Sequence, residues 1–109
     1  MKSEFVRLDD SVAAKELVPG FTARLLHTDQ ITVGHVHAKA GSVLPEHQHP
    51  HQQVTNVISG ELSMTVDGET RTCKAGDAVV IPGDTPHSAR ALTDCYLIDV
   101  FQPVREDYK

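Results

Sequence analysis

The sequence has no tryptophan, only two cysteines and no long apolar run. Cys73 and Cys95 stand far apart without a CxxC pair, which argues against a disulfide framework and against a thiolate zinc site. The chain lacks any window of the ~20 apolar residues that a membrane helix needs. We therefore expect a cytoplasmic protein with no membrane partner, in which both cysteines are small apolar filler.

Positive charge is also scarce. Ten Lys and Arg residues stand against 15 Asp and Glu, for a formal net charge of −5, and no basic run occurs. Because nucleic-acid binding needs a basic surface, we expect no DNA or RNA partner. With 39% hydrophobic and 23% charged residues, the 109-residue chain has a globular composition and suffices for one domain, residues 1–109.

Apolar and polar residues alternate along much of the chain, with the period of a half-buried β-strand. Residues 31–36 and 61–66 show this most clearly. The Asp67-Gly68 pair after the second run predicts a two-residue hairpin turn, since a type I′ turn needs positive φ at both positions. Only residues 11–17 predict a short helix. Many short strands with glycine turns between them predict an all-β fold, either a sandwich or a barrel.

Histidine is the abundant functional residue: the chain has seven, five of them between positions 35 and 51. Two imidazoles at positions i and i+2 of a strand can share a metal ion, and a bend at Pro50 would bring in a further ligand. An isolated histidine is usually solvated or hydrogen-bonded, but this spacing favours a metal site. Four potential ligands have the same parity and would project from one face of an extended strand: His47, His49, His51 and Gln53.

Two segments resemble the sequence motifs of the cupin superfamily. The first, at residues 41–60, has a glycine, His-x-His, a glutamine and a second glycine. The second, at residues 76–91, has a glycine, a proline and a histidine. Asp84 and Ala91 replace a usual glycine and asparagine. The matching residues are Gly41, His47, His49, Gln53, Gly60, Gly76, Pro82 and His87.

The resemblance implies a jelly-roll barrel, the double-stranded β-helix of cupins, with one divalent metal ion at its mouth. The implied ligands are His47, His49, Gln53 and His87, and Ni, Zn, Fe, Mn and Cu remain equally open. His51 is the competing ligand, because an imidazole binds transition metals better than an amide does, although the motif spacing favours Gln53. A neutral ligand set leaves the charge of the ion uncompensated, which favours anionic ligands and Lewis-acid chemistry over oxygen activation.

Near the C-terminus, Leu97, Asp99 and Phe101 have the same strand parity, so a carboxylate and an aromatic ring would face the barrel interior. Burying a carboxylate is costly unless it is paired or functional. The alternative is that Asp99 points outward and Arg105 is an ordinary surface charge. A metal site in the same small barrel favours the functional interpretation.

This tail also resembles a narrower family, the KdgF cupins of pectin and alginate degradation, whose Asp-x-Phe, proline and arginine pattern is reproduced by Asp99, Phe101, Pro103 and Arg105. The resemblance implies an isomerase that converts 4,5-unsaturated monouronates to linear 4-deoxy-5-keto-uronates. Asp99 would be the acid/base, Arg105 would hold the substrate carboxylate, and Phe101 would wall the pocket. Two alternatives stay open: a cupin dioxygenase acting on a small organic substrate, and a non-catalytic cupin that binds a sugar acid.

Two expectations concern the outside of the barrel. His35 and His37 alternate on a predicted strand and could line the barrel, but we expect core or surface roles for them. Small barrels expose sheet edges, and apolar strands such as residues 96–100 can pair with a second copy, so we expect a homodimer. The remaining expected partner is a small anionic sugar acid.

Overall fold

The computed structural model describes residues 2–109, which form ten β-strands, one short α-helix and one 3₁₀ turn. The strands alternate buried and exposed residues, as the sequence predicts. In β6, for example, Leu62 and Met64 are buried, whereas Ser63 between them is not. The strands are β1 (Lys15–Val18), β2 (Phe21–His27), β3 (Thr32–Ala38), β4 (Val43–His47), β5 (Gln52–Ser59), β6 (Glu61–Val66), β7 (Glu69–Lys74), β8 (Ala78–Ile81), β9 (His87–Ala91) and β10 (Cys95–Gln102).

Two antiparallel sheets make up the barrel. The six-stranded sheet has the order β1-β2-β3-β10-β5-β8, and the four-stranded sheet has the order β4-β9-β6-β7. Their inward side chains form one apolar core, so the expected all-β jelly roll is confirmed. The most enclosed apolar members of that core are Phe21, Ala23, Val57, Leu62, Ile81 and Ala91.

The predicted strands and hairpin are confirmed. Residues 31–36 fall in β3 with a shift of one residue at the start, and residues 61–66 are β6. The two-residue turn between β6 and β7 has φ values of 48° at Asp67 and 81° at Gly68. Val66 and Glu69 pair on either side of it. Positive φ at both positions is what the type I′ turn requires.

The predicted helix at residues 11–17 is wrong. The helix α1 covers Leu8–Ser11 only, and Lys15–Val18 is an edge strand paired with β2. Leu17 and Val18 pack against the core from this strand, so tertiary burial overrides a weak local preference. No helix within residues 2–109 has the length and apolar character needed to cross a bilayer.

Strand β10 lies in the middle of its sheet, between β3 and β5. The expectation that residues 96–100 present a free edge to a second copy is therefore wrong, because hydrogen bonds to both neighbours use their backbone groups. Only the outer face of β10 is left uncovered by the rest of the barrel. Its inner face carries side chains into the barrel.

Candidate metal centre

Three histidines converge at one end of the barrel. His47 is the last residue of β4 and His87 is the first residue of β9, and the two are paired in register. His49 follows in the loop between β4 and β5. One ring nitrogen from each residue lies within 4.8 Å of the others, so the three side chains are positioned to hold a metal ion.

The expectation that the four potential ligands share one strand face is wrong. β4 ends at His47, the chain turns through residues 48–51, and β5 begins at Gln52 in the other sheet. Gln53 therefore approaches the histidines from the opposite sheet. The site is built across both layers of the barrel, and its ligands converge because the chain bends rather than because it is straight.

Close backbone packing holds this turn in place. A Cβ at Gly83 would lie 2.4 Å from the Pro50 carbonyl oxygen, so only glycine permits the approach. The neighbouring Asp84 donates its backbone N–H to the carbonyl of His49 at 2.7 Å. Asp84 stands where the motif usually has glycine, and its φ of 57° explains that usual choice.

Backbone carbonyls also orient each imidazole. A carbonyl oxygen only accepts hydrogen bonds, so Nδ1 carries the proton and Nε2 keeps its lone pair. This is the tautomer that a metal ligand needs. Nδ1 of each ring donates to a carbonyl two residues away: His47 to Pro45 at 2.8 Å, His49 to His51 at 3.0 Å and His87 to Thr85 at 2.8 Å.

The environment favours neutral rings. Burial lowers the pKa of His49 to about 4, and the charges of Arg105 and His87 act in the same direction. Burial likewise lowers the pKa of His87. Among the described residues, the buried Nε2 of His87 has no hydrogen-bond partner. A buried lone pair of this kind fits a metal ion as its partner.

Gln53 extends the ligand set. Its Oε1 lies 3.1 Å from Nε2 of His49, and its Nε2 donates to Oγ1 of Thr55 at 2.9 Å. Neutral His49 has already donated its one N–H to a carbonyl, so Oε1 and Nε2 are two acceptors that face each other. A cation between them resolves this contact, so the donors present fit a divalent ion.

His51, the competing ligand, lies outside the group of three. Its ring centroid is 5.4 Å from that of His49, and its carbonyl oxygen is the acceptor that orients His49. His51 therefore contributes through its backbone. Strand parity alone treats His49 and His51 alike, whereas the motif spacing favours Gln53 over His51.

Asp99 and Phe101 both face inward from β10, as their parity predicts. Oδ1 of Asp99 is buried and has no hydrogen-bond partner in the part of the chain that the structure describes. Burial raises the pKa of Asp99 to about 6, although Thr55, Arg105 and Gln53 each favour the ionised form. Phe101 is buried, and its ring centroid lies 5.9 Å from that of His49.

Arg105 is buried rather than an ordinary surface charge; only 6% of its surface is exposed. Its guanidinium lies 3.9 Å from the ring centroid of Tyr108 and 4.8 Å from that of Phe101. It also forms a two-point ion pair with Asp107. The sequence analysis missed Asp107 and Tyr108, because they lie in a single 3₁₀ turn, Glu106–Tyr108, that leaves no periodic signal.

Two neighbouring cavities adjoin the histidines. An inner cavity of about 40 Å³ is lined by His47, Gln53, His87, Asp99 and other inward side chains. A second cavity of about 420 Å³ at the mouth shares His47 and Tyr108 with the inner one. A small ligand therefore has room at the mouth, next to the histidines.

The remaining histidine pair lies on the outer face of β3. Nδ1 of His35 is 2.7 Å from the Tyr96 hydroxyl oxygen, and the His37 ring stacks on the Tyr96 ring at 4.8 Å. These histidines have the surface role expected of them and do not line the barrel. Cys73 and Cys95 are free and buried, as expected of small apolar filler.

Comparison with known proteins agrees with this geometry. Residues 34–101 match the cupin domain family. The chain is 30% identical over 104 residues to the pectin degradation protein KdgF of Dickeya dadantii (strain 3937), covering 93% of this chain and 94% of that protein.

Two solved structures are similar over nearly the whole chain. KdgF from Halomonas sp. superposes with a TM-score of 0.89 at 32% identity and full coverage of both chains. An RmlC-like cupin from Shewanella frigidimarina NCIMB 400 superposes with a TM-score of 0.90 at 29% identity, covering 98% of this chain and 97% of the other. The family match, the two sheets and the three convergent histidines lead to one conclusion: this chain belongs to the cupin family, and it is similar to KdgF along its entire length.

Proposed function

We propose that this protein is a metal-dependent isomerase that opens 4,5-unsaturated monouronates from pectin or alginate to linear 4-deoxy-5-keto-uronates. The observation that carries the proposal is the close grouping of three imidazoles, a buried carboxyl group and a buried guanidinium at one barrel mouth. The similarity to KdgF supports the same reaction. A sugar acid supplies the negative charge that such a site attracts.

One divalent ion per chain would be held by His47, His49, Gln53 and His87. Bound there, the ion supplies a Lewis acid that stabilises negative charge on a substrate oxygen. Imidazole and amide donors accept Ni, Zn, Fe, Mn and Cu, and the donor set does not choose among them.

Asp99 is the proposed proton carrier. Ring opening breaks the bond between the anomeric carbon and the ring oxygen, removes the proton of the anomeric hydroxyl, and adds a proton at C4. The number of protons does not change, so one carboxyl group can accept the first and deliver the second. Because burial raises the pKa of Asp99 to about 6, the group can exchange a proton near neutral pH.

Arg105 and Phe101 would hold the substrate. A guanidinium binds a carboxylate through two parallel hydrogen bonds, and Arg105 lines the inner cavity beside Asp99. The Phe101 ring is 4.8 Å from that guanidinium and 5.9 Å from the His49 ring, so it would wall the same space. Replacing Arg105 by leucine should chiefly raise KM, because binding is lost before chemistry.

One experiment separates this proposal from its alternatives. Metal-loaded protein is incubated with unsaturated galacturonate while the conjugated ultraviolet absorbance and dissolved oxygen are followed together. The proposal expects loss of absorbance without oxygen uptake. Oxygen consumption would indicate a dioxygenase, and binding without any change in absorbance would indicate a non-catalytic sugar-acid-binding cupin.

We further propose a homodimer, formed through the outer face of the six-stranded sheet. Ile58 and Val80 on this face are 45% and 72% exposed. The N-terminal arm, residues 2–7, leaves the same sheet beside Arg24, whose guanidinium donates to the carbonyls of Leu8 and Val12. Such an arm can cover the apolar face of a second copy, and the same contact repeated by symmetry closes a dimer.

The aromatic residue of the arm provides the test. Phe5 is fully exposed. Light scattering should give twice the monomer mass for the parent protein and the monomer mass for Phe5→Ser. A monomer mass for the parent protein across a dilution series would contradict the dimer.

The expected location is the cytoplasm, where the two free thiols stay reduced.

A further inference from the structure

The guanidinium of Arg105 has one edge already occupied. Nε donates to Oδ1 of Asp107 at 3.0 Å, and Nη2 donates to Oδ2 at 2.8 Å. These two bonds occupy the edge of the planar guanidinium that is formed by Nε and Nη2. Within residues 2–109 Nη1 makes no hydrogen bond, so the other edge of the guanidinium, formed by Nη1 and the second N–H of Nη2, can receive another carboxylate.

Two aromatic rings flank the same group. Tyr108 lies 3.9 Å from the guanidinium carbon and Phe101 lies 4.8 Å from it. The rings themselves meet edge to face, with centroids 5.9 Å apart. The side chain of Arg105 is 7% exposed, whereas that of Asp107 is 57% exposed. Asp107 thus holds the buried cation from the solvent side, and Arg105 lines the inner cavity together with Asp99.

An arginine without such contacts would lose this orientation. Its long side chain has many rotamers, and that rotamer entropy must be given up each time the guanidinium binds a ligand. The ion pair and the stacking restrict that freedom before a ligand arrives. The charge of Arg105 also reaches the metal end of the site, because it lowers the pKa values of His49 and His87.

We propose that Asp107 and Tyr108 are positioning residues, which hold Arg105 so that its free edge receives the carboxylate of the substrate. The inference rests on the proposed role of Arg105 in binding a uronate. Neither residue needs to touch the substrate. Asp107 fixes which edge of the Arg105 guanidinium is occupied, and Tyr108 fixes the orientation of the guanidinium plane.

The neighbouring acidic residue supplies a matched control. Glu106 pairs with Lys109 at 3.3 Å, and both side chains are exposed. Asp107→Asn and Glu106→Gln each remove one negative charge, at adjacent positions. A long-range charge effect would change both variants alike, whereas positioning of Arg105 would change only Asp107→Asn. Tyr108→Phe keeps the stacked ring and serves as the conservative partner of Tyr108→Leu.

The first measurement uses the non-reacting sugar acid galacturonate as a probe, by calorimetry on the metal-loaded protein. We expect binding about 10-fold weaker in Asp107→Asn and in Tyr108→Leu, the size of one charge-assisted hydrogen bond. Glu106→Gln should bind as the parent does, and Tyr108→Phe should retain more of the binding than Tyr108→Leu. With unsaturated galacturonate, KM should rise in the first pair while kcat changes less.

The second measurement does not depend on any substrate. In proton–nitrogen NMR spectra, the Nε–H signal of Arg105 is identified by its loss in Arg105→Lys. We expect slow exchange with water in the parent and in Glu106→Gln, and fast exchange in Asp107→Asn. Unchanged exchange together with unchanged galacturonate binding would overturn the inference. If exchange becomes fast but the parent protein neither binds galacturonate nor turns over substrate, Asp107 positions Arg105 and the proposed function is wrong.

Discussion

His-x-His spacing occurs in two segments of this chain, residues 35–37 and 47–51, and only the second segment contributes to a metal centre. His47 and His49 meet at the barrel mouth, whereas His35 and His37 lie on the outer face of β3. The sequence spacing is the same in both pairs. The comparison shows that alternation of histidines along a chain does not by itself make a ligand set.

The difference lies in what holds the rings. At the mouth, backbone carbonyls take the Nδ1 protons, and a third ring arrives from β9. On the outer face, a single tyrosine satisfies both rings, one through its hydroxyl group and the other through its ring. Lone pairs converge in the first group, whereas the second is a stacked surface cluster.

Removing one ring from each group gives the largest expected contrast. His87→Ala should reduce the metal content from about one ion per chain to near zero, because three ligand atoms are needed to retain the ion. His37→Ala removes an imidazole at an exposed position and should leave the metal content unchanged. Elemental analysis of both proteins measures this, with circular dichroism to show that each is folded. Full occupancy in His87→Ala would refute the centre.

The two faces of β10 provide the second contrast. Asp99→Asn keeps the shape of the inward side chain and removes its basicity, so turnover should fall by roughly 10²–10⁴-fold while metal content stays constant. Tyr96→Phe on the outer face should turn over at the parent rate. The assay is the loss of absorbance of unsaturated galacturonate. An Asp99→Asn protein that works at the parent rate would remove Asp99 from the mechanism.

A hydroxyl group behind the ligands gives a smaller effect. Thr55→Val removes the group that accepts a hydrogen bond from the Gln53 amide, so that amide is free to rotate. We expect metal affinity about 10-fold lower, as for other residues that orient ligands. Thr70→Val removes a comparable hydroxyl from the exposed Thr65–Thr70 pair and should not affect affinity. Competition with a chelator measures both, and equal affinities would show that Thr55 does not orient a metal ligand.

The smallest effect is expected at the outer cluster, which consists of His35, His37 and Tyr96. Tyr96→Phe deletes the hydrogen bond to His35 and keeps the stacking on His37. The free energy of unfolding should fall by about 1 kcal/mol or less, since the bond is half-exposed. Urea denaturation measures the change. A loss of several kcal/mol would mean that the outer cluster supports the barrel, and the contrast between the two groups would then be weaker than stated.

Several features of the fold could be predicted from the amino-acid sequence alone. Strands β3 and β6, the turn between β6 and β7, and the inward direction of Asp99 and Phe101 all follow from period-two alternation and turn chemistry. These signals are local. The edge strand at Lys15–Val18 was not predicted by these local signals, because its partner β2 and the core beneath it determine its conformation.

The sequence by itself therefore determined an all-β cupin barrel and named the residues able to form its centre. The tertiary structure decided which of them meet. His47 pairs with His87 across 40 positions of sequence, and Gln53 reaches them from the other sheet. The tertiary structure also makes the His51 carbonyl a hydrogen-bond acceptor for His49, and it places His35 on the outer face. It pairs Arg105 with Asp107. The physical reason is that side-chain direction repeats with local backbone geometry, whereas convergence depends on contacts between distant segments.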